Sequence, residues 1–247
     1  MAANKNKWVK EFPKPGAATL RLICFPYAGG SAQVFKDWGK LLPASIELCA
    51  VQYPGRGSRF TEPAITDMGE MLDAIEANLG SYLNKPFAFY GHSLGAGLAF
   101  ELTRRLEKKG VQPKCLIVSG RNAPHVETEH EEVHTLPDAE FQAKLAEMNG
   151  TPQEVLAHPE LMELMLPLLR ADFTLAETGD FDTETMINCP MRAYGGLTDE
   201  DVPLKGIEGW GKYSNNFKHH MLPGDHFFLA DDQSEGDLLR SMVGYLL

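Results

Sequence analysis

Short apolar runs alternate along the chain with longer stretches in which apolar residues return every three or four positions. That rhythm predicts strands and helices in alternation, and hence an α/β architecture: a mainly parallel sheet with helices on both faces. Leu20 to Phe25 reads as a strand, the Gly29-Gly30 turn leads into a helix from Ser31 to Leu42, and Ile46 to Tyr53 is the next strand. Between Thr66 and Leu83, the residues Met68, Met71, Leu72, Ile75, Leu79 and Leu83 mark one buried face of a surface helix, with Asp67 and Glu70 placed as a capping box. Pro86 to Tyr90 is aromatic and apolar enough for a buried parallel strand. Leu94, Leu98, Leu102 and Leu106 then repeat every four residues as far as Lys109, and Gly110 ends the helix. Ala96, Gly97 and Ala99 keep its first turns thin, so it can lie close to the strands. Lys114 to Ser119, Met191 to Tyr194 and Lys218 to Leu222 are further strands, and a last helix covers about Asp237 to Leu247.

The rhythm breaks between Gly120 and Asn188, where helical pieces occur without a convincing strand. Pro137-Asp138, Thr151-Pro152 and Pro159 each open a helix. This stretch, about 121–188, is expected to be a helical lid inserted into a single domain spanning 1–247. Its Met162, Met165, Leu166 and Leu169 form an adaptable apolar stripe. Such a stripe suits either an acyl-chain pocket or the core of the lid itself.

Composition narrows the function. Apolar residues make up 43% and charged residues 23% of the 247, as in a globular enzyme able to bury a full core. With Lys and Arg totalling 23 against 34 Asp and Glu, the net charge is −11, which repels a phosphate backbone and argues against nucleic acid as a partner. Lys36, Lys40, Arg56 and Arg59 make a local basic group able to attract an acidic protein, although scattered solvated charges explain it as well. Cys24, Cys49, Cys115 and Cys189 lack the paired spacing of a zinc site and read as buried free thiols of a reducing compartment. The charged amino end, Met1 to Lys7, is followed by no apolar signal segment, and no stretch is long enough to span a bilayer. A cytoplasmic protein without membrane or metal is expected.

The chemistry centres on Gly91-His92-Ser93-Leu94-Gly95, a G-x-S-x-G pentapeptide between a predicted strand and a predicted helix. A serine on that tight turn projects its hydroxyl above the sheet edge, as in the nucleophile elbow of α/β-hydrolases. The hydroxyl is a weak nucleophile until a histidine takes its proton and a carboxylate fixes the histidine tautomer. Asp199 follows the strand Met191–Tyr194, and His226 follows the strand ending at Leu222, in the order that this fold uses. Asp201 competes with Asp199, whereas His219 and His220 fall within a strand and His92 reads as a packing and turn residue. The oxyanion of a tetrahedral intermediate needs two fixed donors. The Leu94 amide at the helix start is one, and the Ala28 amide in the Pro26–Gly30 loop is the other.

Five segments in order, Phe25 to Ser31, Gln52-Tyr53-Pro54-Gly55-Arg56-Gly57, Gly91 to Gly95, Leu169-Arg170-Ala171-Asp172-Phe173 and Gly224-Asp225-His226-Phe227-Phe228, resemble those of the type II thioesterases that accompany nonribosomal peptide and polyketide synthases. The resemblance covers nearly the whole chain. It implies an α/β-hydrolase fold, the triad Ser93, Asp199 and His226, and hydrolysis of acyl groups from the phosphopantetheine arm of an acyl or peptidyl carrier protein. The enzyme would need no cofactor of its own and would work as a monomer, with Tyr27, Arg56, Met162, Met165 and Leu169 on the substrate side. Where the family often has a tyrosine a few residues beyond Asp172, this chain has Glu177-Thr178-Gly179-Asp180. The triad alone equally serves a medium-chain fatty acyl thioesterase, another ester hydrolase or an acyltransferase, and a noncatalytic acyl-binding protein is the alternative of a different class.

Overall fold

The computed structural model describes residues 6–13, 16–127, 132–148, 150 and 153–247. Among these, seven strands form one sheet: β1 (Val9–Phe12), β2 (Leu20–Phe25), β3 (Ile46–Val51), β4 (Phe87–His92), β5 (Leu116–Ser119), β6 (Met191–Gly196) and β7 (Phe217–Leu222). The order across the sheet is β1-β3-β2-β4-β5-β6-β7. β1 runs antiparallel to β3, and the other five pairings are parallel. The helices are α1 (Trp38–Leu41), α2 (Met68–Leu79), α3 (Leu94–Lys108), α4 (Asp138–Glu147), α5 (Gln153–Leu156), α6 (Pro159–Thr178), α7 (Leu204–Glu208) and α8 (Asp232–Leu246).

Alternation along the central strands feeds two cores. Ile23, Phe25, Phe87 and Phe89 point to one face, where they meet side chains of α2, α3 and α7. Leu20, Leu22, Cys24, Ala88 and Tyr90 point to the other, against α1 and α8. Both faces are covered, which is why these strands read as unbroken apolar runs. Each fully buried Leu or Phe contributes about 1.5–3 kcal/mol. At the start of α2, the Asp67 carboxylate accepts the Glu70 amide at 2.7 Å, a cap that contributes about 1 kcal/mol.

Several elements differ from the pattern-based expectation. The single helix expected from Ser31 to Leu42 is a 3-10 turn, Ala32–Phe35, followed by the short α1. Its break lets Phe35 and Trp38, both fully buried, turn onto Tyr90, with ring centroids 5.9 and 4.8 Å away. β1 is an additional edge strand that periodicity does not reveal, since Lys10 and Glu11 interrupt it with exposed charge. α8 begins at Asp232, earlier than Asp237, because the Asp231 carboxylate caps the Gln233 and Ser234 amides. The proposed helix start at Thr151-Pro152 and residues Met1–Lys5 lie outside the described residues.

Helices α4, α5 and α6 fill the segment between β5 and β6. α6 continues through Pro167 to Thr178, well past Leu169. Val133, Phe141, Leu145, Met162, Leu166 and Leu169 form a separate core for this insertion, with Met165 packed against it. The stripe is therefore core first, and Met162 and Leu169 are nearly inaccessible, at 3% and 4% exposure, rather than open to a ligand. Glu177, at the departure from the family pattern, accepts the His134 amide at 3.1 Å and its Nδ1 at 2.5 Å, tying the end of α6 back to the insertion. The four cysteines are buried and unbridged, and burial pushes the Cys49 and Cys115 thiols up to about 12 and 11. Among the described residues no helix is long and apolar enough to cross a membrane.

Candidate active site

β4 ends at His92 and α3 starts at Leu94, so Ser93 makes the whole turn by itself. Its φ of 53° and ψ of −115° make it the one non-glycine residue with positive φ among the described residues. Such a conformation costs about 1–3 kcal/mol and persists because its surroundings fix it. The Ser93 amide donates to Ser119 O at 2.9 Å, and Ser93 O accepts the Ala96 amide at 3.0 Å. The flanking glycines permit the approach: a Cβ on Gly95 would stand 2.1 Å from Phe25 O, and one on Gly91 would stand 2.1 Å from Gly95 O. The first turn of α3, carrying the Leu94 amide, thus lies directly on the end of β2 and the loop after it.

The acid and the histidine arrive on the loops after β6 and β7. Those loops are laced together, the Leu197 amide donating to Leu222 O at 2.8 Å and the Thr198 amide to Gly224 O at 3.0 Å. His226 Nδ1 lies 2.8 Å from Asp199 Oδ2. The other carboxylate oxygen, Oδ1, accepts the Asp201 and Val202 amides at 3.1 Å each. The Asp199 side chain is 1% exposed, so this set of bonds is shielded from water and fixes the ring. Asp201, by contrast, is exposed and serves the site through its backbone. With Nδ1 engaged, Nε2 is the nitrogen left for proton transfer. The His226 ring centroid lies 5.1 Å from that of His92, the residue preceding Ser93.

His92 is fully buried, its Nδ1 2.5 Å from Ser119 Oγ, which in turn lies 2.9 Å from the Tyr90 hydroxyl. Burial, and secondarily the nearby His226, lower its pKa well below the ordinary 6.5. Unfolded, the ring titrates near 6.5, so below that pH the unfolded chain binds the extra proton and stability drops by about 1 kcal/mol per pH unit; above it this contribution is fully present. Urea unfolding at about pH 7.5 and 5.5 should show the parent losing about 1 kcal/mol more than His92→Gln between the two. Equal losses would refute this role for His92.

In the loop after β2, the Gly30 amide donates to Tyr27 O at 2.9 Å and the Gly29 amide to Asp172 Oδ2 at 2.7 Å. Both are committed, so neither competes with the Ala28 amide as the loop's candidate oxyanion donor. Tyr27 is half-buried, edge-on to His92 and Phe227 at 5.8 and 5.1 Å, and its phenol is raised by burial. Arg56 is neither a solvated charge nor open to substrate. It is 4% exposed and forms a two-pronged pair with Asp172, at 2.6 and 2.7 Å. Arg59 is also buried, bonded to Glu62 and Gln52 O, so the basic group of four shrinks to Lys36 and Lys40, the latter 2.6 Å from Asp37. The sequence places Asp172 in a family-like segment but does not reveal its role as the partner of Arg56. The available signal was a carboxylate on the buried face of an apolar helix, between Leu168, Leu169 and Leu175, where a charge requires a partner.

The strand order, the elbow after the fourth strand and an acid and histidine on successive late loops define an α/β-hydrolase. The thioesterase domain family matches residues 20–242. The chain is 41% identical over 251 residues to linear gramicidin dehydrogenase LgrE of Brevibacillus parabrevis, covering 97% of this chain and 95% of that one. It is 38% identical over 232 residues to thioesterase PikA5 of Streptomyces venezuelae, covering 92% and 82%. The solved structure of BorB, the type II thioesterase from the borrelidin biosynthetic cluster, matches with a TM-score of 0.88 at 32% identity, over 97% of this chain and 98% of that one. The chain belongs to the thioesterase family.

Proposed function

We propose that the protein hydrolyses acyl thioesters presented on the phosphopantetheine arm of acyl or peptidyl carrier proteins, in the service of nonribosomal peptide or polyketide synthesis. The observation that carries the reading is the shielded Asp199–His226 pair beside a strained serine elbow in a thioesterase-family chain. Ser93 Oγ attacks the thioester carbonyl carbon while His226 Nε2 takes its proton. The Leu94 and Ala28 amides stabilise the oxyanion. Collapse breaks the carbon–sulfur bond, and the departing pantetheine sulfur takes the proton from His226. Water, deprotonated by His226, then attacks the acyl-enzyme, releasing the carboxylic acid and restoring the serine.

The insertion between β5 and β6 serves as a lid, because α6 lies against the loop after β2 through Asp172 and Leu169. One chain supplies every group in the scheme, so a monomer suffices, and four unbridged thiols fit the cytoplasm. A dinucleotide-binding reading, suggested by the name of one relative, lacks its glycine pattern: Gly95-Ala96-Gly97 is followed by Phe100 where a third glycine belongs, and both glycines lie inside α3.

Hydrolysis of a hexanoyl carrier-protein thioester should exceed that of a matched hexanoyl oxygen ester by roughly tenfold or more in kcat/KM. Equal rates would make the protein a general esterase. A preference for hexanoyl-CoA over the carrier-bound thioester would point instead to a fatty acyl thioesterase.

A further inference from the structure

Asp172 and Arg56 touch no group in the proton path, yet they join three segments around the loop that carries Ala28. Asp172 on α6 is fully buried, and its Oδ2 accepts both Arg56 Nη1 at 2.6 Å and the Gly29 amide at 2.7 Å. Arg56 Nη2 donates to Oδ1 at 2.7 Å, Nε donates to Pro54 O at 3.2 Å, and the guanidinium carbon stands 5.2 Å from the centre of the Tyr53 ring. The Tyr53 hydroxyl donates to Pro26 O at 3.2 Å, at the root of the same loop. One carboxylate with one guanidinium therefore holds α6, the turn after β3 and the loop after β2 together.

The loop geometry shows what this fixes. The Gly30-to-Tyr27 bond closes a turn whose third residue, Gly29, has φ of +76°, the position where a type II turn calls for glycine. The middle peptide of that turn joins Ala28 to Gly29. Its N–H now meets Asp172, and a flip to the type I form would aim the Ala28 carbonyl at the carboxylate instead. The charge-assisted bond favours the first arrangement, and oxygen–oxygen repulsion disfavours the second. α6 sits flush on the turn, since a Cβ on Gly29 would come 2.6 Å from Leu169 Cδ2. Arg56 compensates the charge of a carboxylate that has no access to water.

We propose that Asp172, paired with Arg56, is a positioning residue of the oxyanion hole: by holding the turn Tyr27–Gly30 through the Gly29 amide, it makes the placement of the Ala28 amide, on the preceding peptide of that turn, depend on the seating of α6. The inference rests on the reading of Ser93 as nucleophile and of Leu94 and Ala28 as oxyanion donors. A displaced α6 would leave the triad in place with one donor misaligned, so that attack waits until the insertion is seated over a bound acyl group.

The test compares Asp172→Asn and Arg56→Lys with the parent in three measurements. These are turnover of hexanoyl-pantetheine, affinity for a hexyl trifluoromethyl ketone that adds to the serine as a tetrahedral oxyanion, and affinity for the matching methyl ketone. Asp172→Asn should lower kcat roughly 10- to 100-fold with KM within about threefold, and should weaken trifluoromethyl ketone binding by a similar factor while leaving the methyl ketone unchanged. Arg56→Lys, which keeps the charge and loses the fork, should fall between the two, and it carries the test alone if Asp172→Asn does not fold. Equal weakening of both ketones, or preference for the trifluoromethyl ketone kept intact in the variants, overturns the proposal. Absence of that preference in the parent overturns the reading of Ser93, and this proposal with it.

Discussion

Ser93→Ala is expected to lower thioester turnover by about 10⁴- to 10⁶-fold while leaving the fold intact. In the proposed scheme the side chain removed is the nucleophile itself, so no acyl-enzyme can form, and residual rate comes only from substrate binding and the oxyanion donors. Stability should change little. The strain at φ of 53° is a backbone property that alanine bears much as serine does, and the bonds holding the turn, Ser93 N–H to Ser119 O and Ala96 N–H to Ser93 O, use main-chain atoms. His226→Ala should fall in the same range, and the double variant should be scarcely worse than either, because the two groups act as one unit. Steady-state hydrolysis of hexanoyl-pantetheine, with thermal unfolding as the control, decides the matter. A Ser93→Ala rate within tenfold of the parent would exclude Ser93 as the nucleophile.

How far the sequence shows the site depends on the range of the interaction. The elbow was legible because its constraints are local: Gly91, Ser93 and Gly95 are fixed by contacts within a few residues and by the neighbouring strand end. Asp199 and His226 could be placed because a parallel sheet delivers successive loops to one edge, so chain order becomes spatial proximity. The buried-face carboxylate of Asp172 calls for a cation, but nothing comparable points to Arg56 as that partner. The two lie 116 positions apart on unrelated elements, and Arg56 in a glycine-rich turn looks like any solvated charge. β1 was hidden for the opposite reason: an edge strand with only one covered side shows too little apolar pattern to stand out. The Met162–Leu169 stripe was legible as a buried face, but periodicity says only that a face is buried, not whether protein or ligand covers it.

Asp199→Asn should reduce kcat by about 10⁴-fold and Asp201→Asn by less than about threefold, although the two carboxylates are only two positions apart. Asp199 accepts from His226 Nδ1 with Oδ2 and from the Asp201 and Val202 amides with Oδ1. Asparagine can keep Oδ1 on those amides, so the loop retains its shape. Its Nδ2 then faces His226, and an amide donor there favours the tautomer with the proton on Nε2. That ring cannot accept the proton of Ser93, so attack on the thioester fails in a folded enzyme. The Asp201 side chain is exposed, and its contribution to the site, the amide donated to Asp199, survives the substitution. Hexanoyl-pantetheine kinetics on both variants would separate them: comparable losses at the two positions would mean that the buried 2.8 Å bond between Asp199 and His226 does not set the tautomer.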